Sequence, residues 1–402
     1  MIQLKSGKLL LQLLLPLVTL LLLSCDHDED TPTLPGMLPN TWVFGGADSD
    51  WGRSVLVTSD GGYVIVGKTA SFGAGLDDIY LIRTDASAAI QWDTTFGGSG
   101  VDRGYSVVPA SDGGYIIAGE TSSFGAGNGD VCLIKIDDSG DTVWTRTIGG
   151  GDSDWGSSVI ATSDGGYAIV GATLSSGAGN GDVYLIKTDV NGDTLWTETY
   201  GGTEPDRGES VIETSGGGYV ITGRTSSYGA GSSDVYLIKT DDSGDTVWTR
   251  TFGGVEVDRG KSVIETSGSG YIIVGQTSSF GAGLDDVYLI RTDSSGDTVW
   301  TKTFGGAGAD CGESVVETSD GGCIVAGRTS SSGAGLDDVY LLKTDSSGSL
   351  VWQRAFGGAD SDWGRSVIVT SDGGYAVMGG TFSFGSGSAD VYLIKTDANG
   401  DL

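Results

Sequence analysis

Residues 248–299 read WTRTFGGVEVDRGKSVIETSGSGYIIVGQTSSFGAGLDDVYLIRTDSSGDTV, and the fold turns on that stretch. The Gly-Gly inside it recurs at 45, 97, 149, 201, 253, 305 and 357, always 52 residues apart. A fixed period of this length marks a repeat architecture. Within the unit, runs rich in β-branched and aromatic residues are separated by Gly, Asp and Ser. The runs are KSVIET, GYIIVGQT, DVYLIRTD and, crossing into the next copy, DTVWTKTF at 297–304. We name them strands A, B, C and D.

The joints between runs set the topology. SDGG links A to B in most copies, and Asp-Gly predicts a tight hairpin with a primed turn. D-x-[SN]-G-[DS] links C to D and predicts a type I turn with a glycine bulge. Strand C (Val287–Ile290) is apolar on both faces, so both must be covered. Strand D sets Thr298, Trp300, Lys302 and Phe304 against Val299, Thr301 and Thr303, the alternation of an outer strand. No helical period appears after residue 40. The reading is all-β: a seven-bladed β-propeller over 39–402, with four antiparallel strands per blade. A spare D-like segment at Asn40–Phe44 precedes the first A strand, and the last C strand (390–396) has no D after it. The N-terminal strand is therefore expected to complete the last blade and close the ring.

Composition agrees with a packed fold. The 402 residues include 71 Gly, but also 10 Trp and 15 Tyr, too many aromatics for a disordered chain. The glycines must serve turns. Acidic residues outnumber basic ones 53 to 22, a formal charge of -31. That field repels phosphate backbones, so no nucleic-acid partner is expected. The single His, His27, lies before the repeats, which argues against a Ser-His-Asp triad or a His-ligated zinc.

The first residues read as an address. Lys5 and Lys8 precede an apolar run at 9–23, too short to span comfortably and suited to a signal-peptide core over 1–24. The run ends in Leu22-Leu23-Ser24-Cys25, which resembles the lipobox of bacterial lipoproteins and implies lipid attachment at Cys25. Residues 25–38 read as an acidic tether. The acids after Cys25 resemble a surface-export signal, so an anchor in the cell envelope, outer membrane or cell surface, facing outward, is expected.

Trp92, Trp144, Trp196, Trp248, Trp300 and Trp352 hold one site in strand D. The pattern D-x-x-G-x-x-x-W, as in Asp241 to Trp248, resembles the tryptophan-docking motif of quinoprotein-type propellers, which implies that each indole wedges between blades. The seventh site holds Asn40, so the closing seam lacks its Trp and is expected to open first. The units also resemble the secreted β-propeller-repeat proteins of bacteria and archaea, some of which carry endoglucanase-like or lectin-like labels. That resemblance implies the fold; a function does not follow from it.

A residue present in all seven copies is first a structural candidate. Two aspartates qualify, one before strand A (Asp50, Asp102, Asp154 and so on) and one before strand C (Asp78, Asp130, Asp182 and so on). They bind either loop amides or a ring of cations. The C–D turns (Asp241, Ser243, Asp245) match a Ca²⁺ loop only in part, since Gly falls fourth and no distal Glu follows. No cofactor is expected, and Ca²⁺ is the one ion weighed.

Departures from the repeat point to recognition. After the first recurring Asp stand Trp51, Arg103, Trp155, Arg207, Arg259, Cys311 and Trp363. Two places on stand Arg53, Tyr105, Ser157, Glu209, Lys261, Glu313 and Arg365. Variable side chains on one rim of a constant scaffold suggest a binding surface. Trp51, Arg53, Trp363 and Arg365 fall in adjacent blades, and exposed Trp there would stack on sugar rings or anchor a protein.

Three functions are weighed. The first is a monomeric, non-enzymatic module binding a protein or glycan through the Trp/Arg rim. The second is a carbohydrate-active protein, lectin-like or a glycoside hydrolase, using acids among Glu209, Glu213, Glu265, Glu313 and Glu317. The third, a quinoprotein oxidoreductase, lacks an adjacent Cys-Cys pair. Cys132, Cys311 and Cys323 are expected to be unpaired.

Overall fold

The computed structural model describes residues 37–402. The signal-peptide reading, Cys25, His27 and nearly all of the tether lie outside the described residues. The chain forms seven four-stranded antiparallel sheets with no helix among the described residues. Each sheet runs A-B-C-D in order. In the first blade these strands are Asp50–Val57, Tyr63–Thr69, Asp78–Thr84 and Ile90–Phe96. The A strands of neighbouring blades touch one another, so they surround the axis. B and C are buried along almost their whole length, while D alternates exposed and half-buried.

The seventh blade is closed from the other end of the chain. Its A, B and C strands are Asp362–Val369, Tyr375–Thr381 and Asp390–Thr396, and Thr41–Phe44 supplies D. The register runs from Thr41↔Ile394 to Phe44↔Val391. At the rim, Asp50 N donates to Ala389 O at 2.7 Å, as Asp206 N does to Gly181 O at 2.9 Å between blades three and four.

Among the described residues there is no central core. The buried apolar side chains form seven clusters, one per blade interface. Trp92 to Trp352 sit at these interfaces, yet all six indoles are only half-buried. Each lies against the C–D turn of the next blade. That turn has its glycine at positive φ, +78° at Gly296 under Trp248 and +76° at Gly348 under Trp300. A Cβ on Gly296 would sit 2.8 Å from the indole, so glycine serves both the turn and the ring.

The closing seam departs from this plan. Ala88 stands where the others have glycine, at φ +65°, and is 3% exposed. Trp42, two places along from Asn40, packs into the same cluster. The indole has moved along the strand, and the alanine methyl fills the space a docked ring would take. The seam therefore has a Trp in a different place, which corrects the reading of Asn40 as a bare gap.

The A–B turns also differ from expectation. Gly61 N donates to Thr58 O and Thr58 N to Gly62 O, both at 2.9 Å, with Gly61 at φ +84°. This is a type I turn with a glycine bulge, the same form as the C–D turn, where Gly140 N donates to Asp137 O at 3.1 Å. The Asp-Gly pair supplies its one positive φ at the bulge, after the turn proper.

Both recurring aspartates are buried and bind loop amides. Asp50 Oδ2 accepts from Gly46 N at 2.7 Å and Ser71 Oγ at 2.6 Å. Asp182 Oδ2 accepts from Ala178 N at 2.9 Å and Gly179 N at 3.3 Å. The two aspartates meet across each interface. Asp182 Oδ1 and Asp206 Oδ2 both lie within 3 Å of where a Cβ on Gly201 would stand. Burial, and then the charge of Asp206, push the Asp182 carboxyl above the ordinary range. A raised folded-state value means stability is fullest below the unfolded value and is lost as pH rises through the folded one. In Asp182→Asn the amide oxygen keeps both loop bonds, and its NH₂ faces Asp206. This variant is expected to melt above wild type at pH 7, with the difference closing by about pH 3. Thermal scans at both pH values check this; a lower melting point at pH 7 would count against mutual repulsion.

Candidate functional site

Every A strand carries a β-bulge at one place. Its pairing with B runs Gly52↔Gly67 and then Ser54↔Val66, leaving Arg53 without a partner. The same break falls at Tyr105, Ser157, Glu209, Lys261, Glu313 and Arg365. All seven bulged residues sit in a constant Gly-x-Ser frame. The serine ties blades together: Val159 N donates to Ser106 Oγ at 3.2 Å, and Val367 N to Ser314 Oγ at 3.2 Å. A bulge re-aims its side chain. These seven side chains, with Arg207, line one axial cavity of about 170 Å³. A larger cleft, about 320 Å³ between blades one and two, sits beside Cys132, which replaces the tyrosine of other C strands. Cys132, Cys311 and Cys323 are buried and free, and burial pushes the Cys132 thiol up to about 12.

The axial cavity is mixed in charge. Glu209 Oε1 lies 3.0 Å from Arg207 Nε and 3.8 Å from Lys261 Nζ. Glu313 accepts from Arg365 at 2.9 Å. Burial works to raise both carboxyls. Lys261 and Arg207 outweigh it at Glu209, and Lys261, Arg365 and Arg53 at Glu313, so both titrate below the ordinary range. Arg53 has no carboxylate partner among the described residues, and its guanidinium lies 5.6 Å over the Tyr105 ring. Burial, and then Arg365, lower its pKa.

The remaining rim residues sort into pairs. Trp51 and Trp363 stack with centroids 4.7 Å apart and planes 21° apart, and Phe382 meets both edge-on. Both indoles are half-buried, not exposed. Trp51 Nε1 donates to Ser49 Oγ at 2.7 Å, and Trp363 Nε1 to Asp337 Oδ2 at 3.2 Å. Arg365 and Arg328 lie 5.8 and 6.0 Å over the Trp363 ring. Beside this stack, Leu336, Asp360, Ser361 and Phe382 border a shallow groove of about 450 Å³. Arg207 covers Trp155 at 4.9 Å. Arg103 pairs with Asp77 at 2.7 Å and Glu120 at 3.0 Å, on the far side of the ring from Arg259.

Two placements lay beyond sequence reasoning. Lys68, Glu120, Arg224 and Arg328 belong to strand B, directly opposite the residue after the recurring Asp. Glu213, Glu265 and Glu317 stand at the other end of strand A, about 13 Å from the axial ring at ~3.3 Å per residue. They clamp the preceding blade's A–B turn. Ser163 donates to Glu213 from N and Oγ at 2.7 and 2.8 Å, and Ser215 to Glu265 likewise at 2.8 Å.

No family model matches the chain. It is similar to the regulatory protein FlaEY of Caulobacter vibrioides, 29% identical in an alignment of 172 residues that covers 37% of this chain and 18% of that relative's length. Among solved structures it is similar to a puromycin hydrolase, with TM-score 0.53, 14% identity and coverage of 88% of this chain and 53% of that one. Sqt1 from Chaetomium thermophilum gives 0.49 and 12% over 90% of this chain and 86% of that one. At such identity the puromycin hydrolase likeness speaks to the fold.

Proposed function

We propose that the protein is a non-catalytic recognition module, held at the cell envelope by lipid on Cys25, that binds a protein or glycan at the axial mouth and its Trp51/Trp363 flank. One observation carries this reading. The scaffold repeats with little change, but the seven bulged positions around the axis hold five different residue types. A structural role would favour sameness there, as at the flanking Gly and Ser. The glycosidase reading finds less support. A general acid needs a raised pKa, and Glu209 and Glu313 are both pushed down by cations. Glu213, Glu265 and Glu317 are engaged at turns.

A glycan array and a pull-down from intact cells, each run beside a hydrolysis assay, test the proposal. Binding without turnover is expected, lost in Trp51→Ala/Trp363→Ala while an unchanged β-sheet circular dichroism spectrum and a cooperative melt show the propeller still folded. Turnover abolished by Glu209→Gln or Glu313→Gln would replace the module with an enzyme.

A further inference from the structure

We propose that the axial mouth is an oxyanion site: it takes a sulfate, phosphate or carboxylate group, free or carried on a larger ligand. This rests on the recognition reading above and names the chemistry of its ligand.

Charge arithmetic is the first observation. The cavity is lined by Arg53, Arg207, Lys261 and Arg365 against Glu209 and Glu313, with Arg224 and Arg259 beside Arg207 and Glu120 beside Tyr105. The chain as a whole carries 53 acids against 22 bases, yet in this cluster cations outnumber carboxylates. Arg53, Arg224 and Arg259 make no ion pair among the described residues, whereas Lys135, Lys187 and Lys343 on the opposite rim each hold an aspartate.

The second observation is a local rule broken. Arg207 and Arg224 stand directly opposite each other on strands A and B of blade four. Like charges at such a pair destabilise a sheet. Burial, and then Arg259 and Arg207, lower the Arg224 pKa. An anion bound between the two guanidinium groups would turn this repulsion into attraction.

The third observation is unspent donors. Nε of Arg207, Arg259 and Arg365, Nε1 of Trp155 and Oγ of Ser157 are buried without a hydrogen-bond partner. Arg207 Nε lies near Glu209 but is not aligned to donate to it. Buried donors ordinarily find acceptors, and guanidinium forks suit the oxygens of carboxylate, sulfate and phosphate. The cavity, at about 170 Å³, admits a small group, about six waters' share of liquid volume.

The test uses sodium sulfate against sodium chloride at equal ionic strength, and an oligouronate against a neutral oligoglucoside of the same length, with melting temperature and titration calorimetry as readouts. Millimolar sulfate is expected to raise the melting point of the wild type more than that of Arg224→Gln, a difference that separates a bound ion from sulfate's general stabilising effect. The oligouronate is expected to bind at least about tenfold more tightly than its neutral counterpart. Arg224→Gln removes the like-charge pair. It should melt no lower than wild type while losing the sulfate response, a combination that a purely structural arginine does not give. Arg53→Gln/Arg259→Gln should weaken oligouronate binding about tenfold, and Lys302→Gln, on an outer D strand, should leave it unchanged. Equal responses to sulfate and chloride, or full binding in Arg224→Gln and Arg53→Gln/Arg259→Gln, would overturn the oxyanion site. If an uncharged ligand binds and is lost in Trp51→Ala/Trp363→Ala, only the anion chemistry falls. If no ligand depends on the rim at all, the recognition reading falls with it.

Discussion

A chain shortened to begin at Gly45 is expected to lose most of its cooperative stability, by more than ~5 kcal/mol, and to associate through blade seven. Three losses add. The C strand Asp390–Thr396 would become an open edge, with the backbone groups that met Thr41–Phe44 unpaired. Exposed edges of this kind invite pairing with other chains. Phe44, 6% exposed, and Trp42 would leave the cluster between blades seven and one, and Val43 the cluster between blades six and seven. Removing a buried aromatic typically costs ~3–5 kcal/mol by itself. Finally, the interface between blades seven and one would lose its outer wall around Ala88. Urea unfolding and size-exclusion chromatography of the shortened chain provide the measurement. A midpoint and elution volume equal to those of the full chain would show that the N-terminal strand does not hold the ring shut. The same seam has four paired residues in D, where each other blade has six. Amides of Val391–Ile394 should therefore exchange faster than those of Val235–Ile238, even with Trp42 in place.

The second large effect concerns the docked indoles. Trp248→Ala is expected to cost roughly 2–4 kcal/mol, below the upper range for a fully buried ring because Trp248 is only half-buried. Its contacts are the Gly296 backbone, the Tyr271 ring at 6.1 Å and the Arg250 guanidinium at 5.4 Å. Gly296→Ala should cost roughly 1–3 kcal/mol, from positive φ and from collision with the indole. The two changes should not add. Once the ring is gone, the alanine methyl has room, and only the backbone term remains. The natural seam shows the outcome, since Ala88 is accommodated where no Trp docks. A double-mutant cycle by urea denaturation measures the coupling. Strict additivity would mean that the ring and the turn do not press on each other.

Much of this was legible in advance because the repeat enforces itself. The interval of 52 residues fixed the blade count, and the apolar C strand and alternating D strand fixed their order from axis to edge. Readings failed where a side chain answers to something outside its own unit. Asn40 looked like a vacancy because Trp42 shifts by two places, a move visible only when the two ends of the chain meet. Glu213, Glu265 and Glu317 looked like spare acids because their partners, the serines of the preceding turn, are 50 residues away. The bulge did leave a trace. Gly-x-Ser holds in all seven copies around a varying centre, and a constant frame around a free residue signals a backbone irregularity. Arg224 could be matched with Arg207 only through the strand register.

Because each apolar cluster lies between two neighbouring blades and none of the described clusters crosses the axis, the seven bulged side chains stand outside the apolar packing that carries most of the folding energy. A combinatorial library varied only at 53, 105, 157, 209, 261, 313 and 365 should therefore yield members that express and melt much as the parent does while differing in what they capture, making this ring a ready framework for engineered affinity reagents.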